Sequence, residues 1–278
     1  MTKRTYPQGV PSWIDTQQPD VEAATSFYGS LFGWTFEDAM PPEVPRRYCI
    51  ARLRGEDVCA IAGPGEGIPT WRTYIAVDDA DAAVDRLIAA GATVNSAPAD
   101  HGDDGRAAAL TDAGGIEFRV WQARRRPGAQ VVNEPGSWNF SDIHAADLAG
   151  AIAFYEKAFG WEAADLGFAT IIRQPGYGGY LEATVDPDIR KRQAAAHVPH
   201  GFEDAIAWAA PTGADESPHW HVSFAVVDRD QTAAEALRLG AHVLRDENTD
   251  WTRTALIRDP QGAEFTVSQF TPPSGKTG

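Results

Sequence analysis

The side chains best suited to chemistry lie in the C-terminal half of the chain. Asp142 and His144 stand two residues apart in the run Trp138-Asn139-Phe140-Ser141-Asp142-Ile143-His144. Successive side chains of a β-strand alternate faces, so Phe140, Asp142 and His144 point the same way. A carboxylate beside an imidazole favours the imidazolium and orients the ring, which is what proton transfer needs. The competing reading has the two groups satisfying each other and nearby backbone. His219-Trp220-His221 places two imidazoles on one strand face, read as a pocket histidine (His221) and a strand-end histidine. Glu264, Thr266 and Ser268 share a face of a later strand.

Other chemistries are excluded by what is missing. Asp100-His101-Gly102-Asp103-Asp104-Gly105 lacks the spaced ligands and terminal Glu of a calcium loop. No P-loop, dinucleotide fingerprint or G-x-S-x-G elbow occurs. Gly176-Tyr177-Gly178-Gly179 reads as a turn inside a strand region, with no helix following it to receive a pyrophosphate. The net charge of -15 over 278 residues disfavours a phosphate backbone as partner. No apolar run reaches membrane-span length, and the start MTKRTYPQGVPSW has no apolar core of a signal peptide, so a cytoplasmic protein is expected. Two cysteines, Cys49 and Cys59, make no disulfide framework.

The elements that must position these residues repeat along the chain. Ser26-Phe27-Tyr28-Gly29-Ser30-Leu31-Phe32-Gly33-Trp34 matches Ala153-Phe154-Tyr155-Glu156-Lys157-Ala158-Phe159-Gly160-Trp161. Ala60-Ile61-Ala62-Gly63-Pro64 matches Ala207-Trp208-Ala209-Ala210-Pro211, and Thr111-Asp112-Ala113-Gly114-Gly115 matches Arg258-Asp259-Pro260-Gln261-Gly262. Apolar spacing and turn residues give strand, helix and three strands, twice in each half, with Asp20 capping the first helix. Two tandem domains follow, at 1–122 and 137–271, joined by a basic, Pro/Gly-containing linker at 123–136 and ending in a flexible tail at 272–278. The spacing between matched segments grows along the chain, which puts an insertion at about 180–201, with a short helix expected within Asp186–Ala196.

With these repeats on the page, the chain resembles the vicinal oxygen chelate superfamily of glyoxalase I, bleomycin-resistance proteins and extradiol dioxygenases. The resemblance rests on the Phe-Tyr and Phe-Gly-Trp helix ends, the Val77-Asp78-Asp79 and Val226-Val227-Asp228 junctions and the Arg258–Gly262 turn. It implies an α+β fold: two glyoxalase-like domains, each a pair of βαβββ units curling into a half-barrel cup with helices outside. It also implies three metal-ligand positions per cup. These fall on Trp13, Arg72 and Arg119 in the first cup and on Phe140, His221 and Thr266 in the second. Only His221 is a competent ligand, so no metal and no other cofactor is expected.

The implied cups are aromatic with a few polar groups, which suits a hydrophobic small molecule. The first would present Trp13, Asp15, Arg72, Tyr74, Arg119 and Trp121, with the two arginines either ion-paired to Asp15 or holding an anionic ligand. The second would present Phe140, Asp142, His144, His221, Ser223, Thr266 and Ser268, with Trp208 as an aromatic wall if its side chain falls on the inner face. The expectation is a metal-independent enzyme of small-molecule, secondary metabolism. Asp142, His144 and His221 would handle protons during isomerisation, cyclisation, hydration or ring opening of an aromatic or polyketide-like substrate. The alternatives are a resistance protein that sequesters its ligand and a metal-dependent lyase or dioxygenase. The chain would act as a monomer or a homodimer, with neither nucleic acid nor membrane as partner.

Overall fold

The structure is a computed structural model describing residues 3–167, 169–196 and 198–272. The expected tail therefore lies, apart from Pro272, outside the described residues. The first half runs β1 (Pro11–Gln17), α1 (Val21–Phe32), β2 (Thr35–Asp38), β3 (Arg47–Leu53), β4 (Glu56–Gly63), then β5 (Trp71–Ala76), α2 (Ala80–Ala90), β6 (Thr93–Asp100), β7 (Gly105–Thr111) and β8 (Glu117–Ala123). The second half repeats it with β9 (Trp138–Ala145), α3 (Leu148–Phe159), β10 (Glu162–Asp165), β11 (Thr170–Arg173), β12 (Ala205–Pro211), β13 (His219–Ala225), α6 (Arg229–Arg238), β14 (His242–Asn248), β15 (Thr252–Arg258) and β16 (Glu264–Phe270). Helices α4 (Tyr177–Thr184) and α5 (Ile189–Ala195) and a 3-10 turn (Phe202–Asp204) lie between β11 and β12. The duplication read from the sequence is thus an α+β fold of two mixed eight-stranded sheets, ordered β2-β3-β4-β1-β5-β8-β7-β6 and β10-β11-β12-β9-β13-β16-β15-β14. Among the described residues no helix is long and apolar enough to cross a membrane.

The same local chemistry sets each repeat's helix. Asp20, Asp79, Asp147 and Asp228 are N-caps whose carboxylates accept the amides of Ala23, Ala82, Gly150 and Gln231. Such a cap satisfies one of the orphan amides of the first turn and contributes about 1 kcal/mol. Gly33 and Gly160 end α1 and α3 with φ of 74° and 73°, a left-handed conformation that glycine adopts without a Cβ penalty. The Phe-Gly-Trp signature is therefore a helix stop that turns the next Trp inward: Trp34 and Trp161 are buried.

One sequence expectation fails here. Gly176–Gly179 is not a turn within a strand but the start of α4, with Gly176 as N-cap at φ 85°. Glycine-rich sequence disfavours helix locally. The compensation comes from far along the chain, since Asp204 accepts hydrogen bonds from the amides of Gly178 at 2.6 Å and Gly176 at 3.3 Å. Tyr177 and Leu181 bury the helix's inner side. Helix α5 falls within the segment where a short helix is expected. His197, part of that inserted stretch, lies outside the described residues.

By packing, the chain forms two compact units, each drawing on both halves of the sequence. One comprises the segment ending at Trp13, Arg72–Gly128 and Ser141–Trp220; the other comprises Ile14–Trp71, Ala129–Phe140 and the segment from His221 onward. In the first unit, α3 lays Phe154 and Tyr155 edge-on against Phe118 of β8, with ring centroids 6.1 and 5.7 Å apart. Trp161 stacks on Tyr155 at 4.8 Å, and Trp220 donates its indole N–H to the Tyr155 hydroxyl at 3.0 Å. In the second unit, α1 contributes Tyr28, whose hydroxyl donates to Asp259 at 2.8 Å, and Phe32, which packs on Phe224 at 5.0 Å. Two matched aspartates each tie a turn: Asp112 Oδ1 accepts the amides of Gly114 and Ile116, and Asp259 Oδ1 those of Gln261, Gly262 and Ala263.

Burial and the adjacent aspartate push the Tyr28 and Tyr155 phenols well above their ordinary value. A proton held more tightly in the folded state stabilises fully below the unfolded value, about pH 10 for tyrosine, and is lost as pH rises toward the folded value. Urea unfolding should show a midpoint that falls above about pH 10. Tyr28→Phe and Tyr155→Phe should each cost roughly 1–3 kcal/mol at neutral pH, the range for orphaning a buried hydrogen-bond partner, and together should flatten the alkaline fall. Variants as stable as the parent, with the fall unchanged, would contradict the assignment.

Candidate functional site

The first unit holds a cavity of about 340 Å³ built mainly on β9, β12 and the turn between β10 and β11. Strand β9 alternates: Ser141, Ile143 and Ala145 are buried, while Asp142 and His144 are half-buried on the opposite face. Strand β12 pairs with it in parallel, setting Trp208 beside Asp142 and Ala210 beside His144. These side chains line the cavity together with Leu148, Thr170 and Pro211. The parity of Trp208, undecided in the sequence, is fixed by this register: the indole faces the cavity. Phe202, from the 3-10 turn before β12, packs on Trp208 with centroids 5.9 Å apart, so the inserted segment backs the cavity's aromatic wall.

At the cavity's edge His144 Nδ1 hydrogen-bonds Glu216. The Glu216 carboxylate is itself held, its Oε2 accepting the Gly213 amide at 2.8 Å. Burial raises its affinity for a proton, but the Gly213 amide and the neighbouring His144 outweigh that and hold the carboxyl below its usual range. His219, at the start of β13, brings its ring within 4.9 Å of the His144 ring and bonds the Ser217 carbonyl through Nδ1 at 2.9 Å. Sequence reading missed Glu216 altogether. It lies in the β12–β13 connection, where no periodicity fixes a direction, and its one signal is its place three residues before His219.

The remaining expected site residues are placed as follows. In the second unit His221 is nearly buried, and its Nε2 is 2.8 Å from Thr266 Oγ1. Ser223 pairs in register with Thr266, and Ser268 with Ala225, along β13 and β16. Phe140 is half-buried on β9. In the same unit Asp15 is buried and accepts a hydrogen bond from the Tyr48 hydroxyl at 3.2 Å. In the first unit Arg119 lies over the Tyr74 ring at 5.6 Å and pairs with Glu117 at 3.2 Å. Trp121 donates its indole N–H to the Arg126 carbonyl at 2.9 Å, Trp13 is buried, and Arg72 is half-buried on β5.

Family models match both halves. Residues 12–120 match the glyoxalase/bleomycin resistance protein/dioxygenase superfamily, and residues 128–268 match a glyoxalase-like domain. The chain belongs to this superfamily. It is 38% identical to CFP32 of Mycobacterium tuberculosis, named provisionally as a glyoxylase, over 98% of this chain and 99% of that protein. It is 32% identical to the anthracycline biosynthesis protein DnrV of Streptomyces peucetius, over 95% of this chain and 94% of that one. Among solved structures, a Mn(II)-bound glyoxalase from Novosphingobium aromaticivorans aligns with a TM-score of 0.61 at 13% identity, covering 95% of this chain and 83% of that one.

The family's metal does not fit the residues at its expected positions. Trp13 and Phe140 offer no donor for a cation, and Arg72 and Arg119 are themselves cationic. His221 is engaged with Thr266. A divalent ion needs about three converging protein donors, and neither trio supplies them. Thr266→Val should leave the His221 nitrogen without its hydroxyl partner and cost roughly 1–3 kcal/mol of stability. Chemical denaturation of the variant checks this, and an unchanged unfolding free energy would show the bond to be dispensable.

Proposed function

We propose that the chain is a metal-independent enzyme of small-molecule, secondary metabolism acting on an aromatic, polyketide-like substrate in the cavity lined by Trp208, Asp142 and His144. The observation carrying this reading is the β9–β12 register, which puts an aromatic face and a carboxylate–imidazole pair around one space. A flat π-system gains from offset stacking on an indole. A carboxylate and an imidazole two residues apart can take a proton from one substrate atom and return it to another. Isomerisation, cyclisation, hydration and ring opening all reduce to such transfers. The Glu216 bond to Nδ1 orients the His144 ring. The likeness to an anthracycline biosynthesis protein over nearly the whole chain supports a polycyclic aromatic as substrate class.

The test separates binding from turnover. An anthraquinone-type probe should quench tryptophan fluorescence on binding. Trp208→Ala should weaken that binding by about 10-fold, or roughly 1.4 kcal/mol. Asp142→Asn and His144→Asn should keep the affinity and lose conversion of a polyketide-like substrate. Full function in both Asn variants would make the protein a ligand-sequestering one, and unchanged affinity in Trp208→Ala would move the ligand elsewhere.

A further inference from the structure

We propose a divalent-cation site formed by His144, Glu216 and His219, at residues other than those where the superfamily holds its metal. One ring nitrogen from each histidine and one carboxylate oxygen of Glu216 lie within 4.8 Å of one another. Ligands of one tetrahedral ion, at bonds of about 2.0–2.1 Å, stand roughly 3.4 Å apart. An ion entering the cluster would part the directly bonded His144 Nδ1 and Glu216 carboxylate and draw His219 slightly inward, adjustments within reach of side-chain rotation. Two imidazoles and one carboxylate are a recurrent donor set for catalytic zinc.

The supporting bonds are already present. Gly213 fixes the Glu216 carboxylate through Oε2. The Ser217 carbonyl is hydrogen-bonded to His219 Nδ1 at 2.9 Å, which orients the ring beside Glu216. The three side chains come from β9, the β12–β13 connection and the first residue of β13, so each is anchored separately. Their side chains are 21%, 34% and 38% exposed, open enough for an ion to enter and sheltered enough to hold it. Imidazole donors select zinc, cobalt, nickel or copper over magnesium and calcium, which prefer all-oxygen cages. With three protein donors, a tetrahedral ion keeps one position open.

This site does not rest on the acid–base reading. An ion bound there occupies a ring nitrogen of His144, so it inhibits metal-independent turnover rather than supporting it. Its test needs no substrate. The full chain, free of any histidine tag and stripped with chelator, is titrated with Co²⁺ and then Zn²⁺. The expected result is one Co²⁺ per chain with the visible absorption of a tetrahedral site, displaced by Zn²⁺ and untouched by Mg²⁺. Glu216→Gln and His219→Asn should each weaken binding by at least about 10-fold, since losing an outer partner alone costs roughly 10–100-fold. His242→Asn, at an exposed position on β14, should change nothing. In the parent protein, Zn²⁺ should also slow carbethoxylation of His144 and His219, read by peptide mass, which covers any variant that fails to fold. Less than one bound equivalent, equal affinity in Glu216→Gln and His219→Asn, or unslowed modification overturns the site.

Discussion

A buried tyrosine hydroxyl on a packed helix organises each compact unit, Tyr28 donating to Asp259 in one and Tyr155 accepting from Trp220 in the other. Asp259 draws Tyr28 and Gln18 onto one oxygen and three turn amides onto the other. A carboxylate can sit inside a protein only when its lone pairs are taken up in this way. The bond therefore requires the turn, the helix and the strand ends to arrive together. In the first unit the Tyr155 hydroxyl is held differently, accepting the indole N–H of Trp220. Trp220 is flanked in sequence by His219 and His221. The bond that holds the core thus fixes the start of β13 and with it the direction of His219. Helix α3, which carries Tyr155, starts at the Asp147 cap three residues after His144, so the same anchor limits where β9 can end.

Much of this frame was legible because it is local. Asp caps, glycine stops and alternating strands are short-range signals, and the repetition supplies each of them again at a matched position. The chain's division into compact units was not legible. It depends on which repeat's helix meets which repeat's turn, and Tyr28 and Asp259 stand 231 residues apart. Helix α4 was missed for a related reason, since the carboxylate that caps it belongs to Asp204, 26 residues beyond Gly178. Glu216 escaped because a loop side chain has no period from which to infer its facing.

Trp208 shows how a single register decides a site. Matching the repeats by sequence sets Trp208 against Ile61. The strand pairing sets it elsewhere: Asp142 pairs with Trp208, whereas the matching Asp15 pairs with Ala60. A one-residue difference reverses the facing of a strand side chain. The large side chain is therefore buried in the first half, where Ile61 is fully enclosed, and turned into the cavity in the second.

The inserted segment completes that divergence. In the first half β3 and β4 are joined by the two residues Arg54 and Gly55, while residues 174–204 stand between β11 and β12. The added chain ends in Phe202 against Trp208, which stiffens an aromatic wall that a two-residue turn could not reach. An aromatic face offers stacking surface to a flat ligand, and a nearby carboxylate and imidazole can move protons. The β9–β12 register sets Asp142 and His144 beside Trp208, so both kinds of group face one space.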